Sequence, residues 1–304
     1  MPVFHVEQRQ NNQPSHCLLC DNKSFTFQFE VKDHFLTGET FSLYKCDSCG
    51  LISTSPAPAV DEIGRYYQSA NYISHSSKAG TPFEFLYQTV RNFTTKSKAK
   101  LVQRLAKGKN ILDIGCATGE FLIACKQKGF KVFGVEPNEK AREVALENHN
   151  LVINDLAFLD ETASNSFDII TMWHVLEHVH DINKRMEQVF RLLREDGTAI
   201  IALPNYESHD AVYYKESWAA YDVPRHLFHF NKSSFETLAQ NNGFQVREIL
   251  PMKFDSYYVS LLSEKYLNGK GSLVKAIFRG FLSNLKARRN NNQHSSLIYI
   301  ISKS

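Results

Sequence analysis

The sequence predicts an α/β fold: a doubly wound, mostly parallel sheet of seven strands, preceded by a small β-rich module of zinc-ribbon type. Three observations predict it. From residue 109 onward, near-continuous apolar runs alternate with helical stretches, the pattern of a parallel sheet covered on both faces. The first run, NILDIG, ends in a turn that carries Gly115 and Gly119. Upstream, two C-x-x-C pairs sit among short alternating strands.

Composition bounds the rest. A chain of 304 residues with 43% hydrophobic and 12% aromatic residues has room for one large domain and a small one. A formal charge of +3 does not demand a nucleic-acid partner. No run of about 18 apolar residues occurs, so no membrane span is expected. The N-terminal stretch is polar and has no signal-peptide core, so the expected location is cytoplasmic. The oligomeric state is not legible.

Residues 1–16 read as a polar leader and residues 17–70 as a zinc-binding module. Cys17, Cys20, Cys46 and Cys49 form the pairs CLLC and CDSC, 25 residues apart. Two such pairs supply four thiolates to one tetrahedral ion, here a structural Zn²⁺. Gly50 suits the turn after the second pair. Two disulfides or a redox pair are the competing readings; a reducing compartment disfavours the first. The runs FTFQFEV, FSLYKC and GLISTS are strands, and the prolines of SPAPAVDEIGRYY end them before a short helix.

Residues 71–107 read as a polar linker followed by one or two lead-in helices, with apolar spacing from Phe83 to Leu105. Residues 108–304 form the main domain, with an insertion over about 206–230. Its predicted order is NILDIG strand, GEFLIACKQKG helix, KVFGVEP strand, NEKAREVALENHN helix, LVIND short strand and FDIITMWH strand. The helix INKRMEQVFRLLRED follows, with Asp181 as its N-cap, then GTAIIALPN. After the insertion come the helix NKSSFETLAQNNG, the strand FQVREILP, a helical stretch and the last strand LIYIISK.

ILDIGCATGEF, VEPN and FDIITMWHVLEHVHD together resemble a class I S-adenosylmethionine-dependent methyltransferase. A dinucleotide fingerprint needs G-x-G-x-x-G; here Ala117 lies between Gly115 and Gly119. The resemblance implies that Asp113, Gly115, Cys116, Ala117 and Gly119 surround the methionine part of the cofactor. It places Glu136 on the ribose hydroxyls, Pro137 against the adenine, and Asp155 with Leu156 at the adenine amino group. Trp173 and His174 would lie near the sulfonium. Cys116 also reads simply as a small filler of a tight turn.

HVLEH matches the written pattern of an inverted zinc-peptidase motif. That chemistry needs both histidines on one helix, whereas His174 ends an apolar strand. The loop after a parallel strand instead lines a ligand crevice. Glu177 and His178 are therefore candidate catalytic residues: a histidine titrating near neutrality to take the acceptor's proton, and a carboxylate to orient it. The alternative is that both only hold the loop. A likeness to ubiquinone-type O-methyltransferases adds a third reading, because their E-x-x-E-H here is associated with a divalent ion. This chain has His174 in place of the first Glu.

WAAYDVPRHLFHF, residues 218–230, resembles the W…D-x-P-R-H-x-x-x-F segment of zinc-module methyltransferases. It nominates His226 as catalytic and Tyr221, Asp222 and Arg225 as substrate residues, with Arg225 able to pair with a carboxylate or phosphate. The same residues also read as packing and capping.

The expected function is transfer of a methyl group from S-adenosyl-L-methionine to O or C of a small polar acceptor: a sugar nucleotide, a glycan or lipid precursor, or a phenol. A cysteine-zinc module before this fold resembles sugar C-methyltransferases. The competing class is an RNA-modifying methyltransferase that grips nucleic acid with its zinc module. Residues 17–55 hold only Lys23, Lys32 and Lys45 as basic side chains, which speaks against it.

Overall fold

The computed structural model describes residues 13–67 and 82–304. Most of the expected polar leader and the polar part of the expected linker, residues 1–12 and 68–81, lie outside them.

The main sheet holds β4 (Asn110–Ile114), β5 (Lys131–Val135), β6 (Phe167–Trp173), β7 (Leu193–Pro204), β9 (Phe244–Pro251) and β10 (Ser296–Lys303). Its order is β5-β4-β6-β7-β10-β9. β4 to β7 run parallel, and β10 inserts antiparallel between β7 and β9. Sequence reading expects seven strands; among the described residues this sheet has six. The run LVIND keeps a single parallel bridge, Asn154 to Val135. Extended structure stops there because the Asp155 carboxylate accepts from Ala157 N at 2.9 Å and opens a helical turn.

Alternation along these strands builds two cores. Ile111, Ile169, Ile200 and Ile298 face α1 (Pro82–Leu105) and α2 (Glu120–Lys126). Leu112, Ile170, Ile201 and Tyr299 face α5 (Ile182–Leu192) and α7 (Lys232–Asn241). Period-two strands clad by helices on both sides explain why the runs read as continuously apolar. α3 (Glu139–His149) and α4 (Ala157–Glu161) flank β5; α6 (His209–Tyr214) lies in the insertion, and α8 (Asp255–Asn268) and α9 (Leu273–Arg289) join β9 to β10.

The N-terminal sheet consists of β1 (Phe25–Lys32), β2 (Thr40–Cys46), β3 (Ile52–Ser55) and β8 (Phe228–His229), in that order. Its fourth strand therefore comes from the insertion, pairing Ile52 with His229. Thr54 seals the join: its N–H donates to the Leu227 carbonyl at 2.9 Å and its hydroxyl to the His226 carbonyl at 2.7 Å. A shared core of Val31, Leu43, Ile52, Trp218 and Tyr221 fills the space between the two regions.

Candidate functional site

The four cysteines form no disulfide, and their sulfur atoms all lie within 4.8 Å of one another. Cys17 Sγ is 3.4 Å from Cys49 Sγ, and Cys20 Sγ 3.5 Å from Cys46 Sγ. A tetrahedral ion with metal–sulfur bonds of about 2.3 Å needs sulfurs about 3.8 Å apart, so the cluster has the dimensions of a four-thiolate site. Asn22 Nδ2 stands 3.6 Å from Cys46 Sγ as a donor to that sulfur.

The crevice lies at the C-terminal ends of β4, β5 and β6, where the strand order reverses between β4 and β6. After β4 the chain turns with Gly115 at φ +73°, Ala117 at +48° and Gly119 at +85°. A Cβ at Gly115 would meet Val175 Cγ2 at 2.5 Å, so the two strand ends touch and only glycine fits there. Glu136, directly after β5, accepts from Ala117 N and Asn138 N, both at 3.0 Å. Those bonds hold the carboxylate at the lip of the turn and leave it lone pairs for a ligand. Pro137, Asp155 and Leu156 lie exposed on the same rim. The Nε1–H of Trp173 is buried with no hydrogen-bond partner among the described residues. Cys116 is a buried thiol whose pKa burial pushes up, which makes it unreactive.

Asp113, expected beside the methionine, is 2% exposed and lies beneath the turn. It accepts from Thr171 Oγ1 at 2.6 Å and ties β4 to β6. Burial lifts its pKa to about 7.

HVLEH is not helical in the peptidase sense. His174 takes φ +58° directly after β6, and Leu176–His178 form a single 3₁₀ turn. His174, expected near the sulfonium, instead donates from Nε2 to Asp255 Oδ2 at 3.0 Å and from Nδ1 to Glu177 Oε1 at 3.3 Å. Burial alone would lower its pKa; the two carboxylates more than offset it and hold the imidazolium to about 9.

Glu177 is fully buried and ionised, because the surrounding histidines outweigh the burial that would raise its pKa. Its Oε2 has no hydrogen-bond partner among the described residues. His178 Nδ1 lies 2.9 Å from the Arg225 carbonyl and 2.9 Å from the Tyr67 hydroxyl. A carbonyl only accepts, so Nδ1 carries the proton and Nε2 keeps its lone pair. Burial and the neighbouring His226 depress the His178 pKa to about 4, so the ring is neutral and a weaker base than the expected near-neutral titration implies. His226 is ordered the same way, with Nδ1 donating to the Ala220 carbonyl at 2.8 Å. The two rings meet edge to face at 4.5 Å, and Glu177, His178 and His226 offer ligand atoms all within 4.8 Å.

All three expected substrate residues are otherwise engaged. Arg225 is 2% exposed and donates to Asp33 Oδ1 at 3.1 Å, to Asp222 Oδ1 at 2.7 Å and to the Tyr66 carbonyl at 3.1 Å. It is a bridge between the N-terminal sheet and the insertion, with no donor group left facing solvent for an acceptor. Asp222 is its partner, at φ +35°. Tyr221 is buried among Trp218, Phe29 and His229, with ring centroids 5.0 to 5.4 Å away. Sequence reasoning missed Tyr67, Asp255 and Lys98, whose ammonium lies 4.4 Å from the centroid of the Trp173 ring. No spacing rule marks any of them.

Fold and crevice together have the architecture of the class I methyltransferase fold. A family described as "Methyltransferase domain" matches residues 88–249, and the chain belongs to that family. It is 34% identical over 110 residues to a ubiquinone biosynthesis O-methyltransferase of Haemophilus ducreyi, covering 32% of this chain and 46% of that protein. A protein of the same name from Coxiella burnetii is 34% identical over 106 residues, with 33% and 45% covered. The chain thus spans about half the length of the curated relatives it matches. Among solved structures, geranyl diphosphate methyltransferase in complex with S-adenosylmethionine superposes with a TM-score of 0.52 at 13% identity, over 75% of this chain and 93% of that one. A [4+2]-cyclase superposes with a TM-score of 0.51 at 13% identity, over 82% and 98%. At such identities the likeness is one of fold.

Proposed function

We propose that this chain transfers the methyl group of S-adenosylmethionine to a hydroxyl oxygen of a small polar acceptor, with a phenol as the leading class. The observation that carries the proposal is the convergence of Glu177, His178 and His226 beside the cofactor crevice, with Nδ1 of each imidazole donating to a backbone carbonyl. Methyl transfer to oxygen needs the acceptor held in line with the sulfonium and relieved of its proton. His178 is the proton acceptor, His226 packs against its ring, and Glu177 stabilises the imidazolium that forms. The names of the matched relatives support oxygen over carbon.

For the cofactor, the Gly115–Gly119 turn takes the methionine part, Glu136 the ribose hydroxyls, Pro137 and Leu156 the adenine faces, and Asp155 the adenine amino group. The unpartnered Trp173 Nε1–H supplies a donor for a bound ligand. Zn²⁺ on Cys17, Cys20, Cys46 and Cys49 plays a structural role, since its four ligands leave no open position. Titration calorimetry with S-adenosylhomocysteine tests the cofactor site: binding that Glu136→Gln weakens tenfold or more supports it, and no binding by the folded protein rejects it. Labelled S-adenosylmethionine with a panel of phenols and sugar nucleotides tests the acceptor.

A second reading rests on the buried, unpartnered Glu177 Oε2. One carboxylate and two imidazoles are a donor set that fits a divalent cation, which would polarise the acceptor hydroxyl when bound. His174 does not fit as a ligand, because both its nitrogens donate to carboxylates. Turnover of metal-stripped protein separates the two: full activity supports the metal-free base, and recovery only on adding Mg²⁺ or Mn²⁺ supports the ion.

A further inference from the structure

α9 is built the wrong way round for a helix of a soluble domain. Its inward stripe is small: Ala276, Gly280, Ser283 and Ala287 are the buried positions. A Cβ at Gly280 would meet Tyr257 Cα at 2.9 Å, so α9 lies tight against α8. The large apolar side chains point outward at helical spacing: Val274 is 79% exposed, Ile277 50%, Phe278 56%, Phe281 53% and Leu285 37%. An ordinary surface helix buries that stripe. The charges flanking it have one sign: Lys275, Lys286, Arg288 and Arg289 are exposed, and no Asp or Glu occurs in the helix.

The helix is firmly mounted. Ser283 Oγ donates to Asp210 at 2.6 Å and Asn284 Nδ2 to the Lys253 carbonyl at 2.9 Å. That attachment ties it to the segment leading into Asp255, at the rim where His174 sits.

From the outward apolar stripe and its single-sign charge, we infer that α9 docks the protein on an anionic lipid surface, lying in the plane of the interface. Phenylalanines and aliphatic side chains flanked by Lys and Arg are what a headgroup boundary accommodates. A second copy fits less well, because a two-fold contact through this face would bring like-charged residues together without carboxylates to pair them. No helix among the described residues is long and apolar enough to cross a membrane, so the contact is peripheral.

Sedimentation of the full chain with vesicles tests this, using phosphatidylcholine alone and phosphatidylcholine with about one third phosphatidylglycerol. The expected result is binding to the mixed vesicles at least tenfold stronger than to phosphatidylcholine, weakening as salt rises. The double variant Phe278→Ser/Phe281→Ser should lose binding tenfold or more with an unchanged melting temperature. Lys275→Gln/Arg289→Gln should keep residual binding but lose the preference for anionic lipid. Failure of the wild type to sediment with mixed vesicles overturns the proposal. So does a wild-type dimer that Phe278→Ser/Phe281→Ser converts to monomer without changing vesicle binding.

Discussion

His174 Nε2 donates to Asp255 Oδ2 at 3.0 Å, joining the end of β6 to the start of α8 across 81 positions of sequence. With Glu177 on the other nitrogen, the ring is an imidazolium between two carboxylates. Its folded pKa, about 9, lies above the ordinary value of 6.5. A raised folded value contributes stability that is fully present below 6.5 and lost as pH rises through about 9. Melting temperature should therefore fall between pH 7 and 10, and Asp255→Asn should flatten that limb while lowering stability at neutral pH. An alkaline limb unchanged in Asp255→Asn refutes the assignment.

His178 behaves oppositely. Its folded pKa of about 4 lies below the ordinary value, and burial pushes His229 down as well. The unfolded chain then binds protons below about 6.5 that the folded state refuses until about 4, so acid destabilises across that window. His178→Gln should shallow the acid decline of melting temperature between pH 6.5 and 4; an identical decline counts against a neutral, buried ring.

In catalysis, His178→Gln should lower kcat about 10²- to 10⁴-fold on an acceptor found by the labelled-cofactor screen. The dissociation constant for S-adenosylhomocysteine should change less than threefold, because no cofactor-binding role falls to His178. Undiminished turnover removes His178 from the mechanism.

The Arg225–Asp33 ion pair has both side chains buried, with exposures of 3% and 0%. Removing Asp33 takes one of two carboxylates from a buried guanidinium and leaves the N–H groups of Phe35, Leu36 and Thr37 without their acceptor, at a cost of about 3–5 kcal/mol. Asp33→Ala should lose that much in urea unfolding, and exchanging Arg225 as well should recover little of it, because Asp222, the Tyr66 carbonyl and the loop N–H groups then all lose a partner. If Asp33→Ala costs under about 1 kcal/mol, the bridge is not structural.

Metal removal probes the same join from the other side. Cys46→Ser, or chelation of the purified protein, should release about one Zn²⁺ per chain and lower the melting temperature by several degrees. Cys17, Leu19, Tyr44 and Cys46 pack in one core with Leu227 and Phe230, so the loss should reach the insertion and lower turnover too. An unchanged melting temperature with zinc absent would show that the ion is dispensable.

What was legible in the sequence was local. The Gly115–Gly119 turn, the cap by Asp181 onto Lys184 N and the period-two strands follow from spacing over a few residues. The two C-x-x-C knuckles could also be read, because each is a short loop of fixed geometry. Element ends differ where the local pattern does not decide them: the expected strand at LVIND shrinks to one bridge because Asp155 turns the chain, and the expected helix INKRMEQVFRLLRED stops at Leu192, where β7 begins. A seventh strand rests on element order alone, and order does not reveal how long a strand persists.

The sequence by itself determined the alternation of strand and helix, the cofactor turn and the cysteine cluster, since each depends on neighbours within one or two turns of chain. Only the tertiary structure decided that β8 completes the N-terminal sheet, that Arg225 bridges to Asp33 rather than facing a substrate, and that His226 meets His178. These are pairings between residues dozens to nearly two hundred positions apart. Burial then sets their chemistry: the same imidazole is held near pKa 9 at His174 by two carboxylates and near 4 at His178 by desolvation. Residue type and spacing carry no record of which environment a side chain will meet.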